Sequence, residues 1–326
     1  MPRRGTRAHG SSHRSSCDGT DLSGYGTGRR SHRVPPQSHA ERPCAPGSRT
    51  GAGSVTVTGS LDGRSAFVTG AGSGVGRAVA VRYAAAGARV HAFDVDPAGL
   101  EETVRMASDS SITPFVGDVR DPASLRAAVD VATRSGPIDV LAAIAGVSRS
   151  ALLLDMSDED RDFVFDVNVK GVWNSVKAVL PSMLDAPTGG RILVCGSVEC
   201  ILGGASLAAY VASKHAVLGL VKSLALELAK TSITVNAISP AGVDTAMLRK
   251  IVPPEDMDHI ARTTPIDRLV SPDEIAAFFE FVAGPETGYM TGENVVIDGG
   301  LKLVNAHTSG TKWAVGLSGP NGRNAH

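Results

Sequence analysis

Short apolar segments alternate with helical patterns from residue 65 to residue 300, and this alternation constrains the fold most strongly. Such segments include 65–69, 89–94 and 191–195, in each of which at least half of the residues are apolar. Strands of this kind are typical of a parallel sheet that is covered by helices on both faces. With 42% apolar residues in 326, the chain can bury a large core. We therefore predict a single α/β domain with a doubly wound, seven-stranded parallel sheet.

A glycine-rich turn joins the first predicted strand to an alanine- and valine-rich helix. Gly70, Gly74 and Gly76 follow the spacing Gly-x-x-x-Gly-x-Gly, with Ser73 and Val75 between them. Glycines let the backbone turn tightly and let a pyrophosphate approach the free amides of a helix N-terminus. Because the glycines lie between a strand and a helix, the pattern is more specific than glycine spacing alone. This turn is therefore a candidate phosphate-binding site.

An acidic residue, Asp94, closes the second predicted strand 18 residues after Gly76. A carboxylate at this place can accept hydrogen bonds from both ribose hydroxyls of an adenosine, and it would repel a 2′-phosphate. No lysine or arginine lies between Asp94 and Glu101, and Ser73 in the turn is neutral. The sequence therefore predicts NAD(H) rather than NADP(H) as the cofactor.

Three side chains further along the chain suggest proton transfer. Tyr210 and Lys214 are four residues apart, and Ser197 lies thirteen residues before Tyr210. A spacing of four places the phenol and the ammonium on one face of a helix. A free phenol ionises near roughly pH 10, but a positive charge close by favours the phenolate, so that the phenol can exchange a proton with an alcohol or ketone oxygen. Ser197 is a candidate second hydrogen-bond partner for that oxygen.

Over residues 59–301, the chain resembles the short-chain dehydrogenase/reductase family. Besides the motifs above, the resemblance rests on four that follow in the expected order, namely Asp118-Val119, Asn168 in 167–171, the segment 240–245 and the segment 291–300. The resemblance implies a single Rossmann-like domain, in which the nucleotide lies across the carboxyl ends of the strands. It also implies a homotetramer.

The resemblance further implies a role for each motif residue. The implied catalytic residues are Asn168, Ser197, Tyr210 and Lys214. Tyr210 would be the acid or base, Lys214 would also hold the nicotinamide ribose, and Asn168 would hold a water. The implied cofactor-binding residues are Gly70, Ser73, Gly74, Val75, Gly76, Asp94, Asp118, Val119, Ala145, Gly146, Tyr210, Lys214, Pro240, Val243 and Thr245. Within this set, Asp118-Val119 would contact the adenine and Thr245 the nicotinamide carboxamide.

Two segments depart from the family's pattern. Where the family usually has Asn-Asn-Ala-Gly, this chain has Ala143-Ile144-Ala145-Gly146. The backbone turn can survive this change, but the asparagine side-chain hydrogen bonds are lost. Where the family has Pro-Gly, this chain has Pro240-Ala241, which argues against a positive φ at residue 241.

The substrate side of the site is less specific. Its candidate walls lie in three segments, 148–153, 198–204 and 247–251. Because most of these residues are small or apolar, we expect a medium-sized, largely uncharged alcohol or ketone. Glu199 is the exception: it could select a polar or cationic group, but a solvent-facing or hinge role is the stronger expectation. The segment 246–264 is a predicted mobile lid, which Pro253-Pro254 divides into two short helices.

The two ends of the chain differ from the domain between them. Residues 1–58 form a predicted basic leader, whose first 54 residues contain nine arginines, no lysine and three acidic residues, a net charge of +6. Since the leader is rich in Gly, Ser and Pro, we expect it to be disordered. It has no apolar run typical of a secretory signal, and one explanation for it is a misplaced start, with synthesis beginning near residue 55. The C-terminal extension 302–326 is expected either to be disordered or to dock on a neighbouring subunit through Trp313.

The four cysteines show no metal-ligand spacing, so we predict no metal site and a reducing, cytoplasmic location. The expected partner is a small alcohol or ketone, with no role for nucleic acid or a membrane. The predicted function is therefore NAD(H)-dependent interconversion of a secondary alcohol and a ketone. Two alternatives remain open: an NADPH-dependent 3-oxoacyl-thioester reductase, and a non-catalytic nucleotide-sensing protein of the same fold.

Overall fold

A computed structural model describes residues 60–107 and 111–304 of the chain. The predictions made for the leader 1–58, and for the extension beyond residue 304, lie outside the described residues. Within the described part, the strands are β1 (Ser65–Thr69), β2 (Arg89–Asp94), β3 (Ile112–Val116), β4 (Val140–Ala143), β5 (Gly190–Cys195), β6 (Ile233–Pro240) and β7 (Asn294–Ile297). The helices are α1 (Gly74–Ala85), α2 (Pro97–Met106), α3 (Pro122–Ala132), α4 (Asp158–Phe165), α5 (Gly171–Leu184), α6 (Ala208–Glu227), α7 (Ala246–Ile251), α8 (Pro254–Thr263) and α9 (Pro272–Ala283).

All seven strands belong to one parallel sheet with the order β3-β2-β1-β4-β5-β6-β7. β2 and β3 lie in order on one side of β1. The chain then crosses to the other side of β1, where β4 pairs with it and Ala143 lies opposite Thr69. This reversal creates a crevice at the carboxyl ends of β1 and β4, which is where open α/β sheets bind ligands. The predicted fold class is confirmed.

Helices cover the sheet on both faces, and each face has its own apolar core. One core joins the sheet to α3, α5 and α6 through residues such as Leu125, Val176 and Val217. The other joins it to α1, α2 and α9 through residues such as Val79, Leu100 and Phe279. Because both faces of the sheet are covered, β1, β4 and β6 are buried along their whole length.

A π-helical turn, Asp166–Lys170, joins α4 to α5. Because α4, the π turn and α5 follow one another directly, residues 158–184 are helical throughout. Wide turns of this kind occur mostly as single bulges and are frequent at functional sites. Asn168, which is 1% exposed, lies at the centre of the turn.

Two smaller predictions concern the segments after β6. Ala241 is not among the described residues with positive φ, as its side chain requires. The segment predicted as a lid forms α7 and α8, and Pro253 separates them as expected. None of the helices in the described residues is both long and apolar enough to cross a membrane.

Candidate active site

A cavity of about 560 Å³ opens at the carboxyl ends of the central strands. All fifteen residues predicted to bind the cofactor line this cavity, as does Ser197, although the chain separates the first from the last by 175 residues. Asn168 does not line the cavity and lies buried behind it. The fold therefore brings the glycine turn, the strand ends and the Tyr210–Lys214 helix to one place.

The glycine turn is shaped by close backbone contacts. A Cβ atom on Gly76 would lie 2.0 Å from the Gly70 carbonyl oxygen, and one on Gly70 would lie 2.7 Å from the Ala145 amide nitrogen. Gly70 and Gly74 also have φ values of +72° and +51°, which favour glycine. Ser73 precedes α1, but its side chain accepts no hydrogen bond from the first amides of that helix. Those amides therefore remain available to an anion, as a dinucleotide pyrophosphate requires.

Asp94 lies at the end of β2 with its carboxylate held in place by two backbone amides. Oδ2 accepts a hydrogen bond from the Gly72 amide at 2.8 Å, and Oδ1 accepts one from the Asp96 amide at 3.0 Å. These contacts fix an anionic side chain beside the glycine turn, at the wall of the cavity.

The segment after β4 is held by side chains other than the asparagine it lacks. Thr69 Oγ1 accepts hydrogen bonds from the amides of Ile144 (3.1 Å) and Ala145 (3.3 Å). Asn168 accepts a hydrogen bond from the Val147 amide at 2.8 Å and donates one to the Val147 carbonyl at 2.9 Å. The segment 143–147 is therefore held by Thr69 and Asn168, although it lacks the asparagine side chains that the family usually has there.

Lys214 is 5% exposed and donates a hydrogen bond from Nζ to the Cys195 carbonyl oxygen at 2.8 Å. Nζ lies 5.6 Å from the centroid of the Tyr210 ring, so the predicted pair shares one face of α6. Burial opposes the charge of Lys214, but attraction to the ionised forms of Tyr210 and two nearby cysteines outweighs it, and the pKa of Lys214 rises above its ordinary value. A lysine that stays positive beside the phenol favours proton transfer from the phenol to a bound oxygen.

The two hydroxyl groups of the site are free to bind a substrate oxygen. Ser197 Oγ accepts a hydrogen bond from the Glu199 amide at 3.2 Å, while its own hydrogen has no acceptor among the described residues. The Tyr210 hydroxyl has no protein partner in that part of the chain either, and both residues line the cavity. Two donors that converge on one cavity can hold a carbonyl or alcohol oxygen between them.

Comparison with known proteins agrees with this geometry. The family model described as enoyl-(acyl carrier protein) reductase matches residues 70–302. Oxidoreductase UcpA of Escherichia coli (strain K12) is 42% identical over 259 residues, which cover 75% of this chain and 97% of that protein. The chain belongs to the short-chain dehydrogenase/reductase family. It is therefore an oxidoreductase of a family that binds a nicotinamide cofactor.

Solved structures of the family give the same fold. Levodione reductase is 31% identical with a TM-score of 0.71, over 75% of this chain and 100% of that chain. A 3-ketoacyl-(acyl-carrier-protein) reductase from Brucella melitensis, in complex with NADH, is 30% identical with a TM-score of 0.70, over 74% of this chain and 99% of that chain.

Within this family fold, two residues that sequence reasoning missed support the site. Ser213 Oγ accepts a hydrogen bond from Asn168 Nδ2 at 3.0 Å and donates one to the Tyr210 carbonyl oxygen at 2.7 Å. Arg120 lines the cavity and binds the Asp118 carboxylate through its side chain and its amide. Both residues could have been identified from their neighbours in the sequence, because Ser213 precedes Lys214 and Arg120 lies two residues after Asp118.

Glu199 is partly exposed and lines the cavity, and one of its carboxyl oxygens, Oε2, is closed off from solvent. Its role, which the sequence leaves open between substrate selection and a solvent-facing or hinge position, stays a prediction. No group of three or more His, Cys, Asp or Glu in the described residues could hold a metal ion.

Proposed function

We propose that the protein interconverts a secondary alcohol and a ketone with NAD(H), and that Tyr210 is the acid or base. The observation that carries the proposal is the placing of Tyr210, Lys214 and Ser197 on the same cavity as the glycine turn. When bound, the dinucleotide supplies or accepts a hydride. The role of the protein is then to hold the reacting carbon beside the nicotinamide and to move one proton.

Each catalytic group has a distinct task in this proposal. Ser197 and Tyr210 donate hydrogen bonds to the substrate oxygen, and Tyr210 gives its proton as a ketone becomes an alcohol, or takes it back in the reverse direction. Lys214 keeps a positive charge beside the phenol. Asn168 fixes the backbone at residue 147, and the water that it is proposed to hold would return the proton to solvent.

The preference for NAD(H) rests on the charges around Asp94. A 2′-phosphate would meet the carboxylate that the Gly72 and Asp96 amides hold in place. The nearby arginines are engaged elsewhere: Arg77 donates to the backbone carbonyls of Gly72 and Gly99, and Arg120 pairs with Asp118. Among the described residues near Asp94, an NADP(H) phosphate would therefore find repulsion and no unengaged arginine to offset it.

A second candidate is reduction of a 3-oxoacyl thioester with NADPH. The description of the matching family and the ketoacyl reductase from Brucella melitensis favour this substrate class. Asp94 disfavours its cofactor. The nucleotide-sensing alternative is weaker, because sensing requires neither a free hydroxyl pair nor a charged lysine beside it. The cytoplasmic location and the homotetramer stay predictions.

A cofactor titration combined with a substrate panel tests the proposal. Protein fluorescence should report tighter binding of NADH than of NADPH. A panel of secondary alcohols and 3-oxoacyl thioesters, followed by NADH or NADPH absorbance, should give turnover with alcohols and NAD⁺. Tighter binding of NADPH together with turnover of thioesters alone would replace the proposal with the second candidate.

A further inference from the structure

Glu199 is anchored beside the catalytic candidates. It lies in a short 3₁₀ turn, Val198–Cys200, directly after β5. Its amide donates a hydrogen bond to Ser197 Oγ at 3.2 Å, so its backbone is tied to a residue proposed to bind the substrate oxygen. The residue also lines the cavity. Glu199 therefore lines the cavity next to the residue proposed to bind the substrate oxygen.

The carboxyl group of Glu199 has no donor. Oε2 is closed off from solvent and accepts no hydrogen bond from any described residue, and Oε1 is likewise unbonded but is not closed off. Burial raises the pKa of Glu199, and the opposing charge of His215 offsets this only in part. A carboxylate without a donor in such surroundings is costly, so a donor from a ligand would be strongly favourable.

The other two acidic residues that line the cavity differ from Glu199, because their carboxylates have hydrogen-bond donors. Asp94 receives two backbone amides, and Asp118 receives the amide and guanidinium of Arg120. Glu199 instead shares the substrate side of the cavity with apolar residues, namely Leu207, Met247, Leu248, Ile251 and Ile260. Ser148 Oγ is a second buried polar atom of the cavity wall without a partner. The substrate side therefore holds polar groups that the described protein leaves unsatisfied.

We propose that the substrate carries, besides its reacting oxygen, a hydroxyl or ammonium group that donates a hydrogen bond to Glu199. This inference rests on the proposed alcohol–ketone function and narrows its substrate class. It makes Glu199 a specificity-determining residue, because a site built to bind a donor rejects analogues that lack one. It also disfavours substrates with an anionic group near the carbonyl, which the carboxylate would repel.

Matched ketones test this inference. The 2-, 3- and 4-hydroxycyclohexanones are compared with the corresponding methylcyclohexanones, in the wild-type enzyme and in the Glu199→Leu and Glu199→Gln variants. For the best of the hydroxycyclohexanones, we expect the kcat/KM of the wild type to exceed that for the corresponding methylcyclohexanone by at least about 10-fold. Glu199→Leu should lose this preference, and Glu199→Gln should keep part of it because its amide oxygen still accepts. Glu255→Leu, which removes an exposed acid from α8, is the control and should keep it in full.

A binding measurement separates this inference from the proposed function. The cyclohexanediols and methylcyclohexanols are titrated into the enzyme–NADH complex, with NADH fluorescence as the readout. Absence of turnover with every ketone would count against the proposed function, whereas the diol preference in binding would still support the role of Glu199. Two results would overturn the inference. One is equal affinity of the wild type for the cyclohexanediols and the methylcyclohexanols, and the other is a preference for the diols that survives in Glu199→Leu.

Discussion

The Asp94 carboxylate accepts a hydrogen bond from the Gly72 amide at 2.8 Å, which ties the end of β2 to the glycine turn. A Cβ atom on Gly72 would lie 2.9 Å from Asp94 Cγ, so the close approach depends on the glycine. The contact fixes the carboxylate at the place where the fold family puts an adenosine ribose. Cofactor choice should therefore follow the charge of this single side chain.

Replacing that charge tests the cofactor assignment. Asp94→Asn keeps the size of the side chain but removes its negative charge. NADH affinity should fall by about 10- to 100-fold, since a hydrogen bond to a charged group contributes about 1.5–3 kcal/mol, and NADPH affinity should rise as repulsion is lost. Fluorescence titration measures both. Glu101→Gln, on α2 outside the cavity, is the charge control, and an unchanged NADH/NADPH ratio in Asp94→Asn would contradict the assignment.

The glycine turn should tolerate no side chain at Gly76. Gly76→Ala would place a methyl group 2.0 Å from the Gly70 carbonyl oxygen, so the turn must shift. We expect the free energy of unfolding to fall by at least about 2 kcal/mol and NADH affinity to fall by more than 10-fold. Urea unfolding and NADH titration are the measurements.

The matched control for that change is Gly219→Ala in the middle of α6. Nothing lies within 4 Å of the added Cβ there, and the site is exposed. Since alanine favours a helix over glycine by about 1 kcal/mol, this variant should be neutral or more stable. A loss of NADH binding in Gly219→Ala equal to that in Gly76→Ala would show that the effect is not specific to the turn.

Stability in mild acid should depend on His91, which is 7% exposed. Burial first, and then the charge of Arg89, lower its pKa from 6.5 to about 4. The unfolded chain therefore binds a proton at His91 more readily than the folded chain does. The contribution of neutral His91 to the free energy of unfolding is complete above pH 6.5 and is lost as the pH falls toward 4. Between pH 7 and pH 5 the loss from His91 is about 2 kcal/mol.

His91→Gln removes this titration. Urea unfolding at pH 7 and pH 5 should show that the wild type loses about 2 kcal/mol more than the variant over this range. The comparison cancels the acid effects of other groups, because both proteins share them. Equal losses in the two proteins would mean that His91 titrates alike in the folded and unfolded states.

The sequence predicts the central strands well because they are buried on both faces. The predicted strands at 65–69 and 89–94 coincide with β1 and β2. The motifs also lie where parallel strands must bring them, at one edge of the sheet. The π turn at Asp166–Lys170 has no such signature in the sequence, and the contact of Asn168 within it is with Val147, 21 residues away.

Side-chain environments were harder to predict than positions. Glu199 has a partly buried carboxyl, and Gly204 packs beside it, since a Cβ atom on Gly204 would lie 3.5 Å from both carboxyl oxygens. The support of the turn at Ile144 comes from Thr69, 75 residues away. The pattern of neighbouring residues in the sequence does not show which distant residues come into contact, so these contacts are known only from the folded structure.

The most direct test of the account is Tyr210→Phe, which removes one hydroxyl and leaves the ring beside Lys214. Single-turnover hydride transfer from bound NADH to a ketone substrate is measured together with NADH affinity. We predict that the rate falls by about 10²- to 10⁴-fold, as expected for loss of a general acid, while the dissociation constant for NADH stays within about 3-fold. A variant that transfers hydride at nearly the wild-type rate would contradict the central claim that Tyr210 moves the proton.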